Sequence, residues 1–137
     1  MTTLQHVLDV LIKGGVIIEA TDDGRLRLKA LFESPPIGAD VRELCREHKQ
    51  MLIAYLRFAR EADQILLDSS VRIGTTWSEA CDSLECDPGW DERELAINDA
   101  YWGMDLQRLS VAVEERERYA VVALEERRRR RARGLNR

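Results

Sequence analysis

Apolar residues recur at helical spacing from the first residues of the chain. Leu4, Val7, Leu8, Leu11 and Ile12 stand at i, i+3, i+4, i+7 and i+8, which predicts an amphipathic helix with one apolar stripe. Thr2 with Gln5 has capping-box spacing, so this helix begins at once. Gly14-Gly15 ends it, because glycine enters a left-handed C-cap without a Cβ penalty. The periodicity then shifts to that of a strand. Val16 to Ala20 is β-branched and apolar, and Arg25 to Ala30 alternates charged with apolar residues. Thr21-Asp22-Asp23-Gly24 supplies turn chemistry between them, so a β-hairpin is predicted. Strand geometry puts Leu26, Leu28 and Ala30 on one face, with Val16, Ile18 and Ala20. The opposite face takes Arg25, Arg27 and Lys29, beside Ile17 and Glu19.

Glu33-Ser34-Pro35-Pro36 stops the second strand, and Asp40 with Glu43 makes a second capping box. Val41, Leu44, Cys45, His48, Met51, Leu52, Tyr55 and Leu56 form another helical stripe. A two-stranded sheet cannot stand alone, so both helices are expected to cover its apolar face. The second of these helices is expected to run past Ala59, Ala62, Ile65 and Leu66 to Asp68-Ser69-Ser70. Thr76 with Glu79 opens a short helix through Trp77, Ala80, Cys81 and Leu84, and Asp87-Pro88-Gly89 reads as a turn. Asp91 is expected to cap a helix carrying Leu95, Ala96 and Trp102, broken by Gly103. Asp105 caps a long, densely charged final helix with Leu106, Leu109, Val113, Ala120 and Leu124. The fold class is α+β and mostly helical. Residues 1–60 form a module with one hairpin, and residues 61–137 a helical extension with an acidic middle and an arginine-rich tail.

The first module resembles the TubC N-terminal docking domain, a recognition module of bacterial multienzyme synthases. The resemblance rests on Gly15-Val16, then Gly24-Arg25-Leu26-Arg27-Leu28, then His48-Lys49 with Met51-Leu52 and Tyr55-Leu56, and covers about residues 3–58. It implies an αββαα homodimer whose exposed hairpin receives a disordered tail of a partner protein. Here the module would stand alone rather than head a synthase. The partner-binding role falls on Arg25, Arg27 and Lys29, with Leu26, Leu28, Ile17 and Glu19 beside them.

Charge sharpens this picture. The net charge of −4 over 137 residues divides into +1 for residues 1–60, −12 for 61–126 and +7 for 127–137. An acidic middle and a basic end can pair with themselves, with a second copy or with different partners. The three cysteines, Cys45, Cys81 and Cys86, are an odd number and no secretion signal is visible, so free thiols in the cytoplasm are expected. No apolar run reaches the length of a membrane span.

A hairpin has open edges, and an extended peptide can add to one as a strand. Three cations on one face select an acidic segment; equally, they can be a solvated edge protected by charge. Arg127, Arg128, Arg129, Arg130, Arg131 and Arg133 can meet phosphate backbones by counterion release, or be a solvated helix end. Trp77, Trp90, Tyr101 and Trp102 read either as a small aromatic core or as an exposed patch. Cys81, Cys86, His6 and His48 lack the spacing of a zinc site, so no metal or cofactor is expected. No nucleophile elbow, phosphate loop or dinucleotide fingerprint is present, so a non-enzymatic docking or adaptor protein is expected. The alternative is an accessory or inhibitory protein in nucleic-acid transactions, of a phage or mobile-element type. It would contact DNA or RNA by the arginine tail or mimic it with the acidic half.

Overall fold

The computed structural model describes residues 2–32, 36–73 and 76–134, with the side chains of residues 76–79 outside that description. The chain divides into two compact units, Met1–Ala59 and Arg60–Arg137. Among the described residues there are six helices and one two-stranded antiparallel sheet, which is the α+β, mostly helical class expected.

In the first unit, α1 (Thr3–Lys13) opens with the expected capping box. Thr2 accepts from the Gln5 N–H at 3.2 Å, and the Gln5 side chain accepts from the Thr2 N–H at 2.9 Å. Leu4, Val7 and Leu11 are its buried stripe. Burying each leucine contributes roughly 1.5–3 kcal/mol. Gly14 closes the helix at φ −81°, and Gly15 takes the left-handed conformation at φ +67°. A Cβ on Gly15 would stand 3.2 Å from the Phe32 ring. Gly15→Ala should therefore lower stability by about 1–2 kcal/mol, read as a lower CD melting temperature. Gly38→Ala, at φ −69° with open space around its Cβ, should cost less, since only the N-cap preference for glycine over alanine is lost. Equal melts for the two variants would contradict this account.

The hairpin joins β1 (Val16–Ala20) to β2 (Leu26–Ala30), pairing Val16 with Ala30, Ile18 with Leu28 and Ala20 with Leu26 on one face. Ile17 faces Lys29, and Glu19 faces Arg27, on the other. Arg25, expected to begin the second strand, belongs to the turn instead. The Thr21 N–H donates to the Arg25 carbonyl at 2.8 Å and the Arg25 N–H donates to the Thr21 hydroxyl at 3.0 Å. Gly24 supplies φ +81°.

Helix α2 (Ala39–Glu47) packs against α1 and starts one residue before Asp40. Its N-cap is Gly38, which makes no side-chain cap, so Asp40 lies in the first turn, where it favours the helix dipole. The expected Asp40–Glu43 capping box does not form. The stripe from Val41 to Leu56 is not one helix either. His48, at φ −109°, ψ 21°, separates α2 from α3 (Lys49–Ile73). The first unit thus has the order α1-β1-β2-α2-α3, with Cys45, Leu52, Ile53, Phe58 and Ala59 also buried. The interruption of β2 at Glu33-Ser34-Pro35 lies outside the described residues.

In the second unit, α4 (Thr76–Ser83), α5 (Pro88–Trp102) and α6 (Leu106–Ala132) follow the end of α3, which reaches Ile73 rather than Ser70. The expected Thr76–Glu79 capping box and the Trp77 side chain lie outside the described residues. Helix α5 begins three residues before Asp91. Asp87 is the N-cap, accepting from the Gly89 and Trp90 N–H groups at 2.9 and 3.1 Å, and Pro88 occupies N1, where its missing N–H is harmless. Asp91 is therefore a first-turn acid, not a cap. Asp105 does cap α6, accepting from the Arg108 N–H at 3.0 Å. Gly103 ends α5, but the left-handed residue of the connection is Met104, at φ +53°.

Helices α5 and α6 fold back along each other as a helical hairpin. Trp90, Ile97 and Ala100 of α5 are buried, while Leu95 is 62% exposed. Leu109, Ala112, Val113, Ala120 and Leu124 are the buried apolar positions of α6, and Arg116 is buried beside them, 3.3 Å from Glu94. Ala80, Leu84, Trp90, Ala120 and Leu124 form one apolar cluster. Of the aromatic group, Trp90 is core, whereas Tyr101 and Trp102 are half-buried and meet edge to face at 5.2 Å between centroids.

Candidate functional site

The first unit carries a groove of about 510 Å³ between β2 and α2. Arg25, Leu26, Arg27 and Leu28 line it from the hairpin; Arg42, Cys45, Arg46 and Lys49 line it from α2 and the start of α3. Period two along the strand and 3.6 along the helix account for the lining. The strand presents Leu26 and Leu28 on its inner face and Arg27 on its outer face, with exposed Arg25 in the turn beside them. Arg42 and Arg46 are spaced i, i+4 on α2, neighbours on one helix face, and Lys49 opens α3 after the break at His48.

Among the described residues, no carboxylate lines the groove, and five of the eight that line it are cations. Two of the five have resident partners: Arg25 is 3.3 Å from Asp23 and Arg46 is 3.1 Å from Glu43. Both pairs are exposed, so each is worth little and exchanges readily. Cys45 is buried among the apolar residues, and burial pushes its thiol up, which keeps it neutral. The groove thus has an apolar floor and a positive rim.

Four of the residues singled out by sequence, Arg25, Leu26, Arg27 and Leu28, come together here. Lys29, Ile17 and Glu19 stand on the outer face of the hairpin and do not line the groove. Arg42, Arg46 and Lys49 were missed. The i, i+4 spacing of Arg42 and Arg46 was a signal, but only the packing of α2 and the break at His48 place the three opposite β2.

The arginine tail is less uniform than its composition. Arg127 is half-buried, donates to the Ser83 carbonyl and stands 3.8 Å from Asp87. Arg129 pairs with Glu125 at 3.7 Å, and Arg130 with Glu126 at 3.3 Å. Arg128, Arg131 and Arg133 are exposed on the last turns of α6. Arg137 lies outside the described residues.

Among the described residues, no group of three or more His, Cys, Asp or Glu side chains is placed to hold a metal ion. His6 and His48 belong to the first unit, and Cys81 and Cys86 to the second. Among the same residues, no helix is long and apolar enough to cross a membrane. Comparison with known protein families, with curated proteins and with solved structures finds no match to this chain.

Proposed function

We propose that this chain is a non-enzymatic docking or adaptor protein whose basic hairpin, together with α2, receives an acidic segment of a partner protein. The groove carries this reading: among the described residues, five cations surround an apolar floor with no carboxylate in the lining. Such a surface attracts an acidic chain at long range and gives it apolar contact on arrival. The reading also includes a homodimer, for which exposed Ile12, Leu31 and Phe32 offer apolar surface. Sedimentation at the mass of a single chain at high micromolar concentration would count against the dimer.

The nucleic-acid reading has weaker support. Three of the tail arginines already face carboxylates or hold the α4–α5 connection. Such arginines must break those contacts before they neutralise phosphates.

The docking reading is tested by fluorescence anisotropy with a labelled glutamate-rich peptide. The Arg25→Glu/Arg27→Glu double variant should weaken binding at least about tenfold at low salt, since it replaces attraction by like-charge repulsion. Both side chains are exposed, so the far-UV CD spectrum should not change. Binding by the wild type should fall as salt rises. Equal affinity of wild type and variant would remove the hairpin from the site.

A further inference from the structure

We propose that a groove between α3 and α5 receives the arginine-rich end of α6 from a second copy of this chain. Every residue involved belongs to the second unit, so the inference stands apart from the docking reading above.

The groove has a volume of about 310 Å³. Asp63 and Leu66 line it from α3, and Glu94, Ile97, Tyr101 and Trp102 line it from α5. Among the described residues, two carboxylates and no cation line it. Leu66 and Ile97 give it an apolar body, and the Tyr101 and Trp102 rings are half-buried in its wall. Glu94 is already answered by the buried Arg116 at 3.3 Å. Asp63 accepts from the neutral Tyr101 hydroxyl at 3.3 Å, which leaves its charge in place. A carboxylate beside aromatic rings fits a guanidinium, which forks onto the one and stacks on the other.

The chain carries such groups on its own last turns. Seven arginines, no lysine and no acid follow Glu126. Arg129 and Arg130 pair with Glu125 and Glu126 one turn back. Arg131 and Arg133 are exposed and lie more than one turn past Glu126, out of reach of such pairs.

The tail cannot enter the groove of its own copy. Helices α5 and α6 are antiparallel and level with each other where Arg116 meets Glu94. From Glu94 the groove runs toward Trp102, while α6 runs the opposite way from Arg116 to Arg131. That stretch of α6 rises roughly 22 Å, far more than an arginine side chain spans. Two copies laid antiparallel bring each tail to the other's groove, and a two-fold axis closes the pair. One exposed ion pair is worth little, but here two form together. Exposed Leu67, one turn after Asp63 on α3, adds apolar surface beside them.

The test is sedimentation equilibrium of the full chain at low and high salt. The wild type should associate at low salt and dissociate as salt rises. Asp63→Arg, and separately Arg131→Glu/Arg133→Glu, should each weaken association at least about tenfold. Both reversals in one chain should restore it to within about threefold of wild type, because opposite charges meet again. Arg131→Lys/Arg133→Lys should weaken it about threefold, since an ammonium lacks the planar fork. All three positions are exposed, so the far-UV CD spectra should match. Association through the first unit would be common to all these proteins and would not follow the reversals. A wild type that stays at single-chain mass or ignores salt, reversals without effect, or a combined chain that does not recover would each overturn the inference. So would a labelled arginine-rich peptide of unrelated sequence that binds wild type but not Asp63→Arg while self-association ignores both reversals. The groove would then belong to a basic segment of another protein.

Discussion

Leu84→Ala should lower the stability of the second unit by about 2–5 kcal/mol. Leu84 is fully buried and belongs to the cluster of Ala80, Trp90, Ala120 and Leu124. Its truncation removes the transfer energy of the lost atoms and leaves a cavity among residues from three helices, which cannot all close on it. The chain's three tryptophans, Trp77, Trp90 and Trp102, all follow residue 60, so tryptophan emission reports on this unit alone. Urea unfolding followed by that emission should show a lower midpoint with an unchanged slope. Leu95→Ala is the matched control. Sequence placed Leu95 on the apolar stripe of the next helix, yet it is 62% exposed, and its truncation should cost less than about 0.5 kcal/mol. Comparable losses at the two leucines would mean that the buried face of α5 has been misplaced.

Asp87→Ala should cost the same unit about 2–4 kcal/mol, because one carboxylate serves several partners. It caps α5 through the Gly89 and Trp90 N–H groups, worth about 0.5–2 kcal/mol. It also accepts from the Tyr119 hydroxyl, which loses that acceptor once it is gone, and lies near Arg127, which then keeps the Ser83 carbonyl but loses its nearby carboxylate. The Tyr119 hydrogen bond, chiefly, and then those from the Trp90 and Gly89 N–H groups hold the Asp87 carboxyl below the usual carboxylate range, although burial opposes them. The stability it contributes is fully present above the unfolded-state value of about 3.9 and is lost as pH falls through the lower folded-state value. Asp87→Asn keeps a cap acceptor and loses the charge. The gap in stability between wild type and Asp87→Asn should be constant from neutral pH to about pH 5 and narrow below about pH 4. Glu117 is also held low: burial, the largest single effect, raises its carboxyl, but the hydrogen bonds from Arg72, the shortest 2.6 Å, and from Ser69, with the charges of Arg72 and Arg116, together lower it. The Asn variant separates the two, since Glu117 is common to both proteins. A gap that does not narrow in acid would contradict the role given to the Asp87 charge.

Much of the local structure was written in short-range chemistry. The Thr2–Gln5 capping box, the Gly14-Gly15 stop, the alternation through Leu28 and the Asp105 cap depend on neighbours within a few residues, and each holds in the structure. The misplacements share a cause. At Asp40 and Asp91 a plausible cap residue lies inside a helix that another residue had already started, Gly38 by backbone alone and Asp87 with Pro88 behind it. Several residues can satisfy a cap rule, and the one best placed to receive the first free N–H groups wins.

By itself the sequence determined the helical and strand periods, the face of the hairpin on which each side chain stands, and the concentration of cations along β2. Tertiary structure alone decided which cations share a site. Arg25 and Arg42 are far apart along the chain, and only the packing of α2 and the break at His48 set Arg42, Arg46 and Lys49 across the groove from β2. It also decided that Arg127 is not simply a member of the basic tail: the α5–α6 hairpin carries it to the Ser83 carbonyl and the Asp87 carboxylate. Charge and periodicity are local properties of a sequence, whereas a site is a meeting of distant segments, and burial of apolar faces brings those segments together.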